Sequence, residues 1–260
     1  MQEIFPFILV ALVSTLAAFA TFFSGFGLGT ILLPTFALFF NVETAILSTA
    51  IVHFANNIFK FSLVFKHLNR SILINFGITA ALGAFTGAYC LDYVGKGGIA
   101  YEVFLFNSKY QVEWVQLLIG LLMIFFALLD LLPFLEKITF TNKVLPIGGF
   151  ISGFFGGFSG HQGALRSAFL SKTNLEKSIF ISISVAIALI IDFVRIGRYS
   201  MDLNQHDLPI SLMIVGCVFA FIGSFYGKKI FDKSSNYNVR FVVAIFLIGM
   251  GIVTLLGISA

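Results

Sequence analysis

The sequence predicts an all-α polytopic membrane protein built as two inverted repeats, each a glycine-broken helical hairpin plus three transmembrane helices. Three observations carry this. The 260-residue chain is 58% hydrophobic and only 11% charged, with a mean hydropathy of +1.00. Apolar windows of about 20 residues follow one another along it, each long enough to cross the hydrocarbon core of a bilayer. The apolar segments of the second half also echo those of the first, in the same order. A β-barrel would alternate polar and apolar residues in strands of roughly ten, and that pattern is missing.

In chain order, the apolar segments fall near 4–40, 44–65, 71–91 and 113–132, then 143–170, 176–194, 208–228 and 238–258. Segment 4–40 is too long for one ordinary crossing and is interrupted at Ser24-Gly25-Phe26-Gly27-Leu28-Gly29-Thr30. Segment 143–170 has the same character around Phe150-Ile-Ser-Gly-Phe-Phe-Gly-Gly-Phe-Ser-Gly-His-Gln-Gly-Ala-Leu-Arg166. Asn41-Val42-Glu43 and Asn174-Leu175-Glu176 each open the following run, most simply as helix caps and first-turn acids. Leu82-Gly83-Ala84-Phe85-Thr86-Gly87 matches Ile222-Gly223-Ser224-Phe225-Tyr226-Gly227, with Asp92 and Asp232 at equal distances beyond. These small-xxx-small pairs suit close helix packing and also allow a homodimer. Segment 93–112 reads as the longest loop. The chain therefore divides into a first repeat, 1–135, and a second, 136–260, within one integral membrane domain.

Loop charge sets the orientation. If both long segments fold back as hairpins, one side carries Lys66, Arg70, Lys137, Lys143, Lys172, Lys177, Lys228, Lys229, Lys233 and Arg240, which is ten. The other carries Lys96, Lys109, Arg195 and Arg198, which is four. Single crossings would leave almost no bias. The hairpin arrangement is thus expected, with both termini outside the cytoplasm. Each half then crosses an odd number of times, so the second half sits upside down relative to the first.

Several function classes drop out. The net charge of +4 comes from basic residues scattered through short loops, which argues against nucleic acid. Cys90 and Cys217 lie in apolar runs without a CxxC spacing, and His, Cys and carboxylates show no metal-ligand spacing. There is no GxxxxGK[ST] phosphate loop, so no nucleotide cofactor is expected, nor any other. Glu3 precedes the first apolar run without a Lys or Arg, and residues 4–23 read as part of the mature fold rather than as a secretory signal.

The residues that carry chemistry cluster at the glycine breaks. Arg166 follows Gln162 by four residues inside an apolar stretch, where a charge is costly. A helix restarting after the break would aim its N–H groups at the same place, a ready anion site. Two readings of Arg166 stand: an anion ligand, or a charge that reaches the headgroups or pairs with a neighbour such as Asp192. Segment 44–65 carries His53, Asn56 or Asn57, and Lys60 on one helical face, which must look into the protein or a water-filled path. His53 is a proton-exchange candidate or a packing residue. Asp192, Arg195 and Arg198 recur every three residues, with the arginines expected at the outer interface.

The two Ser-Gly-Phe breaks, Leu33-Pro34 after the first, and the duplicated layout together resemble the TauE/SafE sulfite exporter family, the toluenesulfonate uptake permeases. The likeness covers nearly the whole chain and centres on Ser152-Gly153-Phe154-Phe155-Gly156-Gly157 with Gly160 and Gly163. Members often have a longer glycine run and a proline in the second copy, where this chain has His161-Gln162-Gly163-Ala164-Leu165-Arg166-Ser167. The resemblance implies secondary transport, as an exporter, of small sulfur-containing anions such as sulfite or organosulfonates across a bacterial inner membrane. It implies alternating access, with no ATP and no enzymatic activity. The anion would bind between hairpin tips at Gly25, Gly27, Gly29, Gly157, Ser159, Gly160, His161, Gln162, Gly163 and Arg166. His53, Asn57, Lys60 and Asp192 would serve the pathway or coupling. Two alternatives remain. An anion channel would use the same residues. A rhomboid-like intramembrane serine protease would use Ser159 of Gly157-Phe158-Ser159-Gly160, yet the chain beyond offers it only His161 and His206 as a base.

Overall fold

A computed structural model describes residues 4–24, 28–105, 108–131, 142–170, 175–201, 208–230 and 236–258. Ten α-helices account for most of these residues: α1 (Phe5–Ser24), α2 (Leu28–Ala37), α3 (Val42–Val64), α4 (Arg70–Gly95), α5 (Trp114–Leu131), α6 (Leu145–Ser159), α7 (Gln162–Leu170), α8 (Lys177–Tyr199), α9 (Ile210–Ile230) and α10 (Asn236–Leu255). Four of them, α1, α4, α8 and α9, are long and apolar enough to cross a membrane. The chain is an all-α polytopic membrane protein, as its composition requires.

Capping chemistry sets two starts. Asn41 accepts the Thr44 amide at 2.9 Å and opens α3. Asn69 accepts the Ile72 amide at 3.2 Å and opens α4. The expected symmetry of caps is incomplete: Glu176 occupies the cap position of α8 without a side-chain bond, and Asn174 lies outside the described residues.

The second glycine break is a hairpin. Gly160 takes a left-handed φ of 79° and ends α6, its amide bonded to the Gly156 carbonyl. From there α7 returns along α6. Gly148 faces Phe169, Gly156 faces Gln162, and Ser152 Oγ donates to the Gln162 carbonyl at 3.1 Å. At 9 residues α7 is roughly 14 Å long, about half the thickness of a bilayer core. In the first half, Phe5 at the start of α1 meets Phe39 just past α2, 6.2 Å between ring centroids. That chain segment also returns to the end it left. However, α1 is twice the length of α2 and is itself long enough to span.

The two hairpins are gripped by backbone-close helix contacts. A Cβ on Gly83 or Gly87 of α4 would overlap the backbone of Phe150 or Phe154 on α6. Reciprocally, one on Gly153 or Gly157 of α6 would overlap Ala80 or Ala84 of α4. Likewise Gly223 of α9 lies against the backbone of Thr15, and Gly227 against Phe19 and Phe22, on α1. The matched glycine pairs are therefore packing devices. They join α4 to the second hairpin and α9 to the first, while α5 packs on α10 and α3 on α8. Two apolar clusters result. The larger includes Leu32, Phe36, Leu47, Ile119, Met123 and Leu247. The smaller includes Phe76, Ala80, Leu145, Leu170, Ile183 and Ile187 of α4, α6, α7 and α8.

Segment 93–112 departs from the loop expected. α4 continues to Gly95, and a β-hairpin follows, β1 (Ile99–Leu105) paired antiparallel with β2 (Ser108–Glu113). Alternation of polar and apolar residues through Lys109-Tyr110-Gln111-Val112-Glu113 is the strand signal that a glycine-rich, amphipathic reading passed over. Tyr101 Oη donates to the Leu255 carbonyl and ties this ribbon to the end of α10. Lys109 bonds Glu102 at 2.7 Å and holds that carboxyl below its ordinary range.

Candidate functional site

The polar interior centres on Asp192, 0% exposed in the third quarter of α8. Its Oδ2 lies 2.6 Å from His53 Nδ1 and accepts from Asn57 Nδ2 at 3.4 Å. Its Oδ1 accepts from Gln162 Nε2 at 2.9 Å and from Arg195 Nε at 3.0 Å, with Arg195 Nη2 at 2.9 Å. One carboxylate thus binds α3, α8 and the tip of the second hairpin. Asn57 Nδ2 also sits 3.2 Å from His53 Nε2, so with Nδ1–H donating to Asp192 the other ring nitrogen accepts.

Arg166 joins this network through Gln162. Its Nη1 donates to Gln162 Oε1 at 3.0 Å, one helical turn away on α7. Both side chains are buried. Gln162 therefore links Arg166 to Asp192. The stripe on α3 is also inward. His53, Asn56, Asn57 and Lys60 are all buried. Asn56 turns away to accept from Ser224 Oγ of α9 at 2.8 Å, leaving His53, Asn57 and Lys60 to face the site.

A small cavity of about 20 Å³ lies beside this network. It is lined by Thr21, Phe22, His53, Asn57, Lys60, Arg166, Ile181, Ser184 and Val185, drawn from α1, α3, α7 and α8. Lys60 Nζ stands over the Phe22 ring, 5.5 Å from its centroid. Gly29 borders the same region: a Cβ added there would stand 3.6 Å from the His53 ring. A larger recess of about 250 Å³ opens at the other ends of α3, α4 and α8, lined by Asn41, Glu43, Asp92, Lys96, Arg198 and Tyr199 among others.

The remaining expected residues take other places. Gly157 packs against Ala84, and its carbonyl accepts from Tyr199 Oη. Ser159 Oγ donates to the Phe155 carbonyl at 3.1 Å, and His161 Nδ1 contacts the same oxygen at 3.1 Å. The His161 ring stacks on Phe126 of α5, 5.5 Å between centroids. With the serine proton already given to Phe155, the imidazole is placed to donate to the hydroxyl, not to take its proton. Gly160 supplies the turn, and Gly163 is buried in α7. Gly25 and Gly27, like His206, lie outside the described residues.

Arg195 corrects the sequence reading. It is 1% exposed, not at the outer interface, because α8 continues to Tyr199 and places it one turn above Asp192. Its Nη1 also reaches the Gly156 carbonyl at 3.4 Å. Arg198 follows the expectation more closely, half-buried and paired with Asp92 at 2.6 Å. Thr21, Ser184 and Tyr199 were not singled out, since single hydroxyls in apolar helices carry no pattern. The i, i+3 spacing of Asp192 and Arg195 was the readable signal for the pair.

Among the described buried residues the carboxylates reduce to Asp192, against Lys60, Arg166 and Arg195. The interior is therefore formally cationic, a chemistry suited to holding an anion away from water. Comparison with curated proteins gives no match to the chain. The family model described as sulfite exporter TauE/SafE matches residues 10–254, nearly the whole length, and the chain belongs to that family.

Proposed function

We propose that this membrane protein of the sulfite exporter family is a secondary transporter of small sulfur-containing anions, working by alternating access with the anion held at the second hairpin tip beside Arg166. The observation that carries the reading is the buried, formally cationic interior, in which Lys60 and Arg166 line one cavity. Buried charges in a membrane protein line substrate paths far more often than they serve packing. The fold-back of α6 and α7 supports it, because broken helices meeting near the midplane are where such carriers bind. So does the reciprocal packing of α4 on α6 and α9 on α1, the pairing that two inverted repeats, 1–135 and 136–260, would produce. The inside-negative potential favours outward movement of anions, hence export. The reading includes a bacterial inner membrane and both termini outside the cytoplasm.

Flux of sulfite and methanesulfonate into proteoliposomes tests the function. Saturable uptake with counterflow is expected for the parent, falling at least tenfold in Arg166→Gln as a charged hydrogen-bonding group is lost. Unchanged flux in a folded Arg166→Gln protein removes Arg166 from the site, and single-channel currents would replace the carrier with a channel. Orientation is tested separately. Leu68→Cys, in a background without Cys90 and Cys217, should react with an impermeant maleimide only from the cytoplasmic face.

A further inference from the structure

Hydroxyls in these helices are commonly satisfied within their own helix. Thr15, Thr35, Ser200 and Thr254 each donate to the carbonyl one turn back. Thr21 of α1 and Ser184 of α8 do not. Both are buried, 3% exposed each, neither oxygen has a hydrogen-bond partner, and both border the small cavity that Lys60 lines. Ser14, Ser48, Thr49 and Ser182 are also buried without a partner, but they do not line that cavity. Lys60 itself is buried on α3. Among the described residues it has no ion-pair or hydrogen-bond partner, and its ammonium stands over the Phe22 ring. No acidic residue is among those that line the cavity. Asp192 is engaged elsewhere, by His53, Gln162 and Arg195.

We infer that Lys60 Nζ, Thr21 Oγ1 and Ser184 Oγ form a site for a single-atom anion, chloride or bromide. Charge selects the class first. A buried ammonium needs a counter-charge beside it; a water would satisfy the two hydroxyls and leave that need unmet. One monoanion balances one ammonium, and the hydroxyl protons donate to the rest of the same ion's surface. Size selects it again. At about 20 Å³ the cavity holds about one water-sized particle. A halide is only slightly larger than water, whereas a sulfur oxyanion would have to push the wall apart. Phe22, Ile181 and Val185 supply the apolar remainder of that wall. Arg166 lines the same cavity but is bonded to Gln162, and the site does not call on its charge. The cavity is partly open, so the ion can exchange. In a carrier the halide would keep Lys60 compensated inside the membrane between substrates. That role rests on the transport reading; the site does not.

Equilibrium binding of radioactive chloride to the detergent-purified full chain tests the site. Saturable binding of one ion per chain is expected, with bromide matching chloride within about tenfold and gluconate failing to compete. Lys60→Met should weaken binding by at least about tenfold, as the charged donor is lost, and Thr21→Val and Ser184→Ala should each weaken it several-fold. No saturable chloride binding overturns the inference, as does unchanged affinity in a folded Lys60→Met protein. If Lys60→Met does not fold, unchanged affinity in both hydroxyl variants overturns it instead. Sulfite that displaces chloride more tightly than bromide does overturns the assignment to a halide. Chloride bound in the expected pattern, with no sulfur anion crossing a liposome membrane, would overturn the transport reading and leave the site standing. Saturable sulfite flux without chloride binding would do the reverse.

Discussion

Replacing Asp192 with Asn keeps the shape of the side chain and removes the one carboxylate among the described buried residues. The Asn oxygen can still accept from Arg195 and Gln162, but its NH2 then faces His53 Nδ1 and Asn57 Nδ2. If His53 switches tautomer to accept at Nδ1, its Nε2–H confronts Asn57, so one donor always meets another. The larger loss is charge. At 2.9 Å the Asp192–Arg195 attraction is about 6 kcal/mol with an effective dielectric near 20. Stranding one member of such a buried pair typically costs about 3–5 kcal/mol. Asp192→Asn should therefore lose about 3–5 kcal/mol, measured by SDS titration in mixed micelles. Arg195→Gln alone should lose a comparable amount, since it strands the carboxylate. The double variant should lose clearly less than the sum, with a coupling of about 1–3 kcal/mol. A cost for Asp192→Asn below about 1 kcal/mol, or strict additivity in the double variant, would refute the account of Asp192 as the hub that neutralises Arg195.

Other positions give sharper contrasts of sign. Gly83→Val should destabilise by about 2–3 kcal/mol in the same titration, because its side chain would enter the backbone of Phe150. Gly249→Ala, in the middle of α10 with nothing near its missing Cβ, should instead be neutral or stabilise by up to about 1 kcal/mol. Gly160→Ala must hold a left-handed φ of 79° and bring a methyl 2.8 Å from Arg195 Nη1. It should lose about 1–2 kcal/mol and slow anion flux, and an unaffected protein would show that the turn can be made another way.

How far the sequence could be read depended on whether a feature had a period. Helices with apolar stretches of bilayer length, the fold-back at Gly160 and the inward stripe of His53, Asn57 and Lys60 all leave repeating or punctuating signals, and each stands where expected. The matched pairs Gly83/Gly87 and Gly223/Gly227 were legible as close-packing positions, although not that each grips the hairpin of the other half. Three kinds of feature were not legible. The strand pair 99–113 is short, and its alternation is masked by glycines just before it. The continuation of α8 to Tyr199 was hidden because Arg195 and Arg198 look like an interfacial end to an apolar run; Arg195 is paired within the helix with Asp192, and Arg198 across to Asp92 of α4. Isolated hydroxyls such as Thr21 and Ser184 cannot be told from ordinary helix residues until the helices are packed.

The arrangement of the tethers bears on how the hairpin tip could move. On one side of Asp192 lies the small cavity with Lys60 and Arg166; beyond Arg195 lies the wider recess with Asp92, Arg198 and Tyr199. What separates them is a layer of side chains from α8 that hold the end of α6: Arg195 on the Gly156 carbonyl and Tyr199 on the Gly157 carbonyl. Both acceptors sit in the last turn before Gly160, whose amide is a further donor to the Gly156 carbonyl. Releasing them needs no break in the middle of a helix, only exchange of two side-chain bonds at a helix end. An anion arriving at Arg166 draws on the same Gln162 that is bonded to Asp192, and Asp192 in turn positions Arg195. Occupancy of the cavity and the hold on the hairpin tip are thus connected through three consecutive hydrogen bonds. Under the proposed mechanism this connection lets binding on one side loosen the layer that closes the other.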